Sequence, residues 1–168
     1  MDIQLDESKE LCSKYMQFSS PNQNYNNNDN MHVHRNSHYI LIVDDASDIL
    51  SVVGRLEEYG FNTCCFTKPR IALEHYMRSS NNHDLVISDL QMPIINGFEF
   101  IRKVKDINPY VKAFLMTSSF ESSDSGSLLL PNSNASSSIN LMIDEFILKP
   151  FFIQKLVELI KKHLAVAF

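Results

Sequence analysis

From Tyr39 onward, five short apolar runs punctuate the chain: ILIV (40–43), FNTCCF (61–66), LVIS (85–88), AFLM (113–116) and EFIL (145–148). Between them, apolar residues recur at helical spacing. Short apolar runs alternating with helical patterns mark βα units wound around a parallel sheet, whose strands are covered on both faces. The intervening segments carry Ile49, Val53 and Leu56, then a helix opened by Pro69 with Ala72 and Tyr76, then a third after Gly97 with Phe98, Ile101 and Val104. A last helix presents Ile153, Leu156, Val157, Ile160 and Leu164 as one stripe. It ends in Lys161, Lys162 and His163, which suit the negative end of a helix dipole.

Two stretches depart from this alternation. Residues 1–37 include the tract NQNYNNNDN, with too few apolar groups to offset ordering entropy, and are expected to form a mostly disordered extension preceding a domain over 38–168. Leu11, Tyr15 and Phe18 offer a weak helical stripe there, and His32, His34 and His38 are expected to be solvated rather than metal-bound, having no Cys or acidic partners. Where alternation calls for a fourth helix, the Ser-rich stretch from Ser119 to Ser138 carries Gly126 and Pro131, which oppose a continuous helix.

Composition narrows the function. With 15 Lys and Arg against 20 Asp and Glu, net charge −5, no broad basic surface is available for nucleic-acid phosphates, and direct nucleic-acid binding is not expected. No run approaches the roughly 20 apolar residues of a membrane span, and the acidic N-terminus lacks a signal-peptide core. No membrane association is expected. Cys12, Cys64 and Cys65 are odd in number and two are adjacent, which suits buried thiols better than disulfides and points to a reducing, cytoplasmic setting.

In an open parallel sheet, ligands gather beyond the carboxyl ends of the strands. Four of the five runs are followed there by polar residues: Asp44 and Asp45, Asp89, Thr117, and Lys149 before Pro150. Three converging carboxylates repel one another unless a cation offsets them, and hard oxygen ligands suit Mg²⁺ completed by water. With such a metal, Asp89 can attack phosphorus while Lys149 and Thr117 neutralise and hydrogen-bond the transferring oxygens. The chemistry to expect is phosphoryl transfer to an acyl phosphate.

The pair DD at 44 and 45, VISDLQMPIINGFEF around Asp89, FLMTSS around Thr117 and EFILKPF around Lys149 resemble, in order, the four signature segments of response-regulator receiver domains. The resemblance implies an α/β, flavodoxin-like, doubly wound five-stranded parallel sheet in the order 2-1-3-4-5 with flanking helices, of which the composition of the Ser-rich stretch makes the fourth irregular here. It implies Asp89 as phosphoacceptor, Asp45 and Asp89 as direct Mg²⁺ ligands, Asp44 as a ligand through water, and the Gln91 backbone carbonyl as the remaining protein ligand. Thr117 and Lys149 would contact the phosphoryl group, Phe146 matches the aromatic switch position, and the Lys149–Pro150 bond is expected to be cis. Pro93 and Gly97 match the turn after the acceptor, Gly97 supplying backbone angles other residues avoid. Thr117 and Lys149 lie 32 residues apart, more than the family usually has, the excess falling in the Ser-rich stretch.

The implied function is a phosphorelay receiver, a phosphoprotein rather than an enzyme on other substrates. Its donor would be a histidine kinase or histidine phosphotransfer protein. With the sequence ending at Phe168, its output is expected through a partner protein. The competing reading is a receiver-like protein-binding module without phosphotransfer, against which the intact acidic, hydroxyl and lysine positions argue. An aspartate-nucleophile phosphatase of the haloacid dehalogenase type would need Asp where Gln91 stands. A flavin carrier would find its phosphate repelled by DDASD.

Overall fold

The computed structural model describes residues 38–46, 49–79, 82–118 and 142–165. In chain order they form β1 (Tyr39–Val43), α1 (Ile49–Glu58), β2 (Asn62–Phe66), α2 (Pro69–Ser79), β3 (Leu85–Asp89), α3 (Gly97–Ile107), β4 (Lys112–Thr117), β5 (Glu145–Leu148) and α4 (Ile153–Leu164). The five strands pair in parallel in the order β2-β1-β3-β4-β5, as expected.

Successive strand residues point to opposite faces, so an unbroken apolar run must be covered twice. Leu41, Val43, Val86, Ala113 and Leu115 turn to one face and pack with Ala72 and Tyr76 of α2 and Phe100, Ile101 and Val104 of α3. Ile40, Ile42, Leu85, Ile87, Phe114, Met116 and Ile147 turn to the other, against Leu56 of α1 and Leu156, Val157 and Ile160 of α4. Each Val, Leu, Ile, Phe or Met side chain among them taken wholly out of water contributes roughly 1.5–3 kcal/mol before entropy is counted. Two cores therefore clamp one sheet. The central strands have no freedom to slide, because a slip of one residue would turn every apolar side chain to the wrong core.

Some boundaries differ from the sequence expectation. The second strand starts at Asn62, because the Phe61 N–H bonds back to the Leu56 carbonyl, closing the turn in which Gly60 adopts φ 85°. β3 and β4 each extend one residue further and include Asp89 and Thr117. β5 lies at the sheet edge, which explains why its pattern is blurred in the sequence: Ile147 is buried, Phe146 half-buried and Leu148 exposed.

An ion cluster ties β5 to its neighbour. Asp144 accepts from the Ala113 N–H at 2.9 Å and from Lys112 Nζ at 2.8 Å, with Lys105 Nζ of α3 at 3.4 Å. Burial alone would raise the Asp144 carboxyl, but the Lys112 and Ala113 hydrogen bonds and the two lysine charges outweigh it and hold its pKa below the usual value.

The cysteines only partly follow expectation. Cys65 is a free thiol in the core, pushed up to about 11 by burial and then by the charge of Asp44. Cys64 is disulfide-bonded instead. Strand alternation gives the two neighbours opposite fates: Cys65 enters the α1/α4 core, whereas Cys64 points to the other face and is only partly buried. The 1–37 extension with Leu11, Tyr15, Phe18, His32 and His34, and the site of the irregular fourth helix, lie outside the described residues. His38 lies 3.4 Å from an Asp84 oxygen. Among the described residues, no helix is long and apolar enough to cross a membrane.

Candidate functional site

The sheet order reverses between β1 and β3, and there the carboxyl ends of the strands open a crevice. Asp44 follows β1, Asp89 closes β3, Thr117 closes β4 and Lys149 follows β5. The Lys149 N–H donates to the Thr117 carbonyl at 2.8 Å, extending the β4–β5 ladder by one rung and setting Lys149 beside Thr117. The Lys149–Pro150 bond is cis, as expected.

Lys149 reaches across the crevice. Its ammonium donates to Asp44 Oδ2 and to Asp89 Oδ1, both at 2.6 Å, although the two aspartates are 105 and 60 residues away in sequence. Asp44 and Asp89 are buried, 2 % and 6 % exposed. Their other oxygens take backbone donors: the Ala46 N–H on Asp44 Oδ1 at 2.9 Å and the Gln91 N–H on Asp89 Oδ2 at 2.7 Å. Burial alone would lower the Lys149 pKa, but its hydrogen bonds to Asp44 and Asp89 and their charges raise it overall, so the ammonium stays charged. Thr117 is buried beside it, Asp45 lies exposed next to Asp44, and Phe146 is half-buried on β5, paired with Leu115.

A hard divalent cation suits this donor set. Asp44, Asp45 and Asp89 when ionised set three negative charges against the Lys149 ammonium, and carboxylate oxygens are hard donors of the kind such a cation takes. The Gln91 backbone N–H already serves Asp89, and its backbone carbonyl is an oxygen of the kind such a metal takes.

The loop after Asp89 is shaped around that residue. The Gly97 N–H donates to the Leu90 carbonyl at 3.0 Å, and Asn96 caps α3 by accepting from the Glu99 N–H. A Cβ on Gly97 would stand 2.0 Å from the Asp89 carbonyl oxygen. Its backbone angles are not what demands glycine here, contrary to the sequence expectation. The demand is space: the start of α3 lies directly on the end of β3. Ile94 instead takes the unfavourable conformation, with φ 73°, while the Ile95 N–H bonds the Pro93 carbonyl at 2.9 Å in a γ-turn.

Residues 40–161 match the family model described as the response regulator receiver domain. The chain belongs to this family. Curated relatives of this receiver domain include the response regulator SaeR of Staphylococcus epidermidis, 28 % identical over 120 residues that cover 71 % of this chain and 47 % of SaeR. The chemotaxis protein CheV1 of Helicobacter pylori is 33 % identical over 125 residues, covering 71 % of this chain and 36 % of CheV1. The receiver thus spans about half the length, or less, of these relatives. Among solved structures, a receiver domain protein from Clostridium thermocellum superposes with TM-score 0.61 at 26 % identity, covering 76 % of this chain and 94 % of that one. The response regulator TrrA of Thermotoga maritima, solved in complex with Mg²⁺ and BeF, gives TM-score 0.58 at 28 % identity, covering 75 % and 98 %. The fold and the family therefore place this receiver in two-component signalling.

Proposed function

We propose that this receiver takes a phosphoryl group onto Asp89 from the phosphohistidine of a histidine kinase or phosphotransfer protein, and passes the signal to a partner protein by changing conformation. The observation that carries this reading is the single Lys149 ammonium held at 2.6 Å from both Asp44 and Asp89 at the switch point of the sheet. Such a group is already placed for the oxygens of a phosphoryl group bound to Asp89.

An Asp89 oxygen forms the new O–P bond as the P–N bond to the donor imidazole breaks, and the leaving imidazole takes up a proton. Mg²⁺ bound by Asp45 and Asp89, by Asp44 through water and by the Gln91 carbonyl would supply the positive charge that lets carboxylates and phosphoryl oxygens share one crevice. Lys149 then exchanges part of its contact with the carboxylates for the phosphoryl oxygens, and the Thr117 hydroxyl donates to them. Drawing Thr117 inward vacates space beside Leu115, into which Phe146 on the paired strand can turn. The burial of Asp44, Asp89 and Thr117 keeps bulk water from competing for these bonds.

Intact-mass measurement with acetyl phosphate tests the reading. One phosphate should be gained with Mg²⁺, none with chelator, and none by Asp89→Asn, whose amide is neither nucleophile nor anionic ligand. No gain by wild type under any of these conditions would favour the protein-binding module without phosphotransfer.

A further inference from the structure

Outside the acidic crevice, Cys64 of β2, His75 of α2 and His83, which precedes β3, bring a cysteine sulfur and two imidazoles together, one ligand atom from each residue lying within 4.8 Å of the other two. His83 and Asp89 lie at opposite ends of β3, whose five residues span roughly 16 Å, so this cluster is separate from the crevice. The packing is specific. His75 lies against Phe66 with ring centres 5.0 Å apart, and against His83 edge-on at 5.4 Å, while Tyr76 backs His83 at 5.6 Å.

His83 is oriented as a ligand. Its Nδ1 is 3.1 Å from the Ser79 carbonyl, and a carbonyl only accepts, so Nδ1 carries the proton and donates. That leaves the Nε2 lone pair for a ligand, the arrangement by which a backbone carbonyl commonly fixes a metal-binding histidine. His83 is buried, with its pKa pushed down to about 4 by burial and then by His75. Burial and then Arg78 lower His75 too.

We propose that Cys64, His75 and His83 form a second, redox-gated metal site, binding Zn²⁺ when the Cys64 sulfur is a thiolate and releasing it when that sulfur is in a disulfide. One sulfur and two nitrogens suit tetrahedral Zn²⁺ with water in the fourth position, and do not suit Mg²⁺, which takes oxygen. Bonds of about 2.0–2.3 Å place tetrahedral ligand atoms about 3.3–3.8 Å apart, so an approach of roughly 1 Å completes the site. Cys64 is disulfide-bonded, and one sulfur does not serve both bonds. A dithiol reductant supplies the two electrons: it is oxidised to its own disulfide as the Cys64 disulfide becomes two thiols. The Cys64 thiol then loses its proton to solvent as it binds the metal.

Cobalt titration of the full chain, reduced with a phosphine and kept under argon, tests this. Reduced wild type should develop a sulfur-to-cobalt charge-transfer band and tetrahedral visible bands at one equivalent, displaced by Zn²⁺ but not by excess Mg²⁺. The disulfide form should develop neither. Cys64→Ser should abolish the charge-transfer band, and His75→Ala, at a partly exposed position, should weaken binding by about 10-fold or more. Cys65→Ser and Asp89→Asn should keep the spectrum, which separates this site from the acidic crevice. Absence of the band in reduced wild type, its persistence in Cys64→Ser or undiminished strength in His75→Ala, or equal binding by the disulfide form would overturn the proposal.

Discussion

Adding one methyl group at Gly97 should both destabilise the fold and disable the site. The new Cβ would stand 2.0 Å from the Asp89 carbonyl oxygen, 2.8 Å from its carbonyl carbon and 2.8 Å from Leu115 Cδ1. The leucine methyl can rotate away, but the carbonyl cannot. Its oxygen accepts from Ser88 Oγ at 3.0 Å, and the Gly97 N–H is fastened to the Leu90 carbonyl. Real Cβ contacts essentially never fall under 3.0 Å, so helix and strand must separate by at least about 1 Å. Overpacking of this kind costs typically 1–3 kcal/mol, and a clash with backbone belongs at the upper end, so Gly97→Ala should lose about 3 kcal/mol. A 1 Å displacement of a reacting group can cost on the order of 100-fold in rate, so phosphorylation of Asp89 should fall as well. Gly54, inside α1 with nothing within 4 Å of its would-be Cβ, is the control: Gly54→Ala should gain about 0.5–1 kcal/mol from helix propensity. The chain has no Trp, so urea unfolding is best followed by far-ultraviolet circular dichroism. A Gly97→Ala midpoint equal to or above wild type, with normal acetyl phosphate labelling, would refute the close-approach argument.

Lys149→Ala removes the cation between two buried carboxylates. Breaking a fully buried pair costs about 3–5 kcal/mol, and with the lysine side chain 28 % exposed a loss of about 1–2 kcal/mol is expected, recovered by Mg²⁺ in a thermal melt. The variant should still accept phosphate but show no accompanying amide-shift changes at Phe146. Asp144→Asn should cost about 1–2 kcal/mol at pH 7. Because the folded-state pKa of Asp144 is lowered, its contribution is present above the unfolded value near 3.8 and is lost as pH falls toward the folded one, so the wild-type advantage in urea midpoint should shrink below about pH 4. Ile94→Gly should raise stability by about 1 kcal/mol, and so the urea midpoint, by relieving a β-branched residue at φ 73°, despite glycine's greater freedom when unfolded; a lowered midpoint would show that Ile94 is not strained.

The sheet order agrees with the family resemblance because the apolar runs are long enough to need two covering layers, and a polar residue at the end of such a run has one place to go. Asp44, Asp89, Thr117 and Lys149 were legible for that reason. Gly97 was legible as a special position but not for its cause, since a contact between the start of a helix and the end of a strand is visible only in three dimensions. The same holds for Asp144, whose partners Lys105 and Lys112 lie 39 and 32 residues away. Cys64, His75 and His83 have no motif spacing. Only the packing of α2 on β2, and the ring contacts of His83 with His75 and Tyr76, gather them. The sequence did flag histidines, but His32, His34 and His38, and of these only His38 is among the described residues. The separate fates of Cys64 and Cys65 follow from strand alternation, which adjacency in sequence obscures.

The central claim is that Asp89, rather than its acidic neighbours, carries the phosphoryl group, and trapping the acyl phosphate tests it most directly. Borohydride reduces an aspartyl phosphate to homoserine, which peptide mass mapping locates to a single residue. After incubation with Mg²⁺ and acetyl phosphate, homoserine should appear at position 89 alone, and at no position in Asp89→Asn. Homoserine at 44 or 45, or a phosphate that survives acid and resists borohydride, would contradict the assignment of Asp89 and the chemistry built on it.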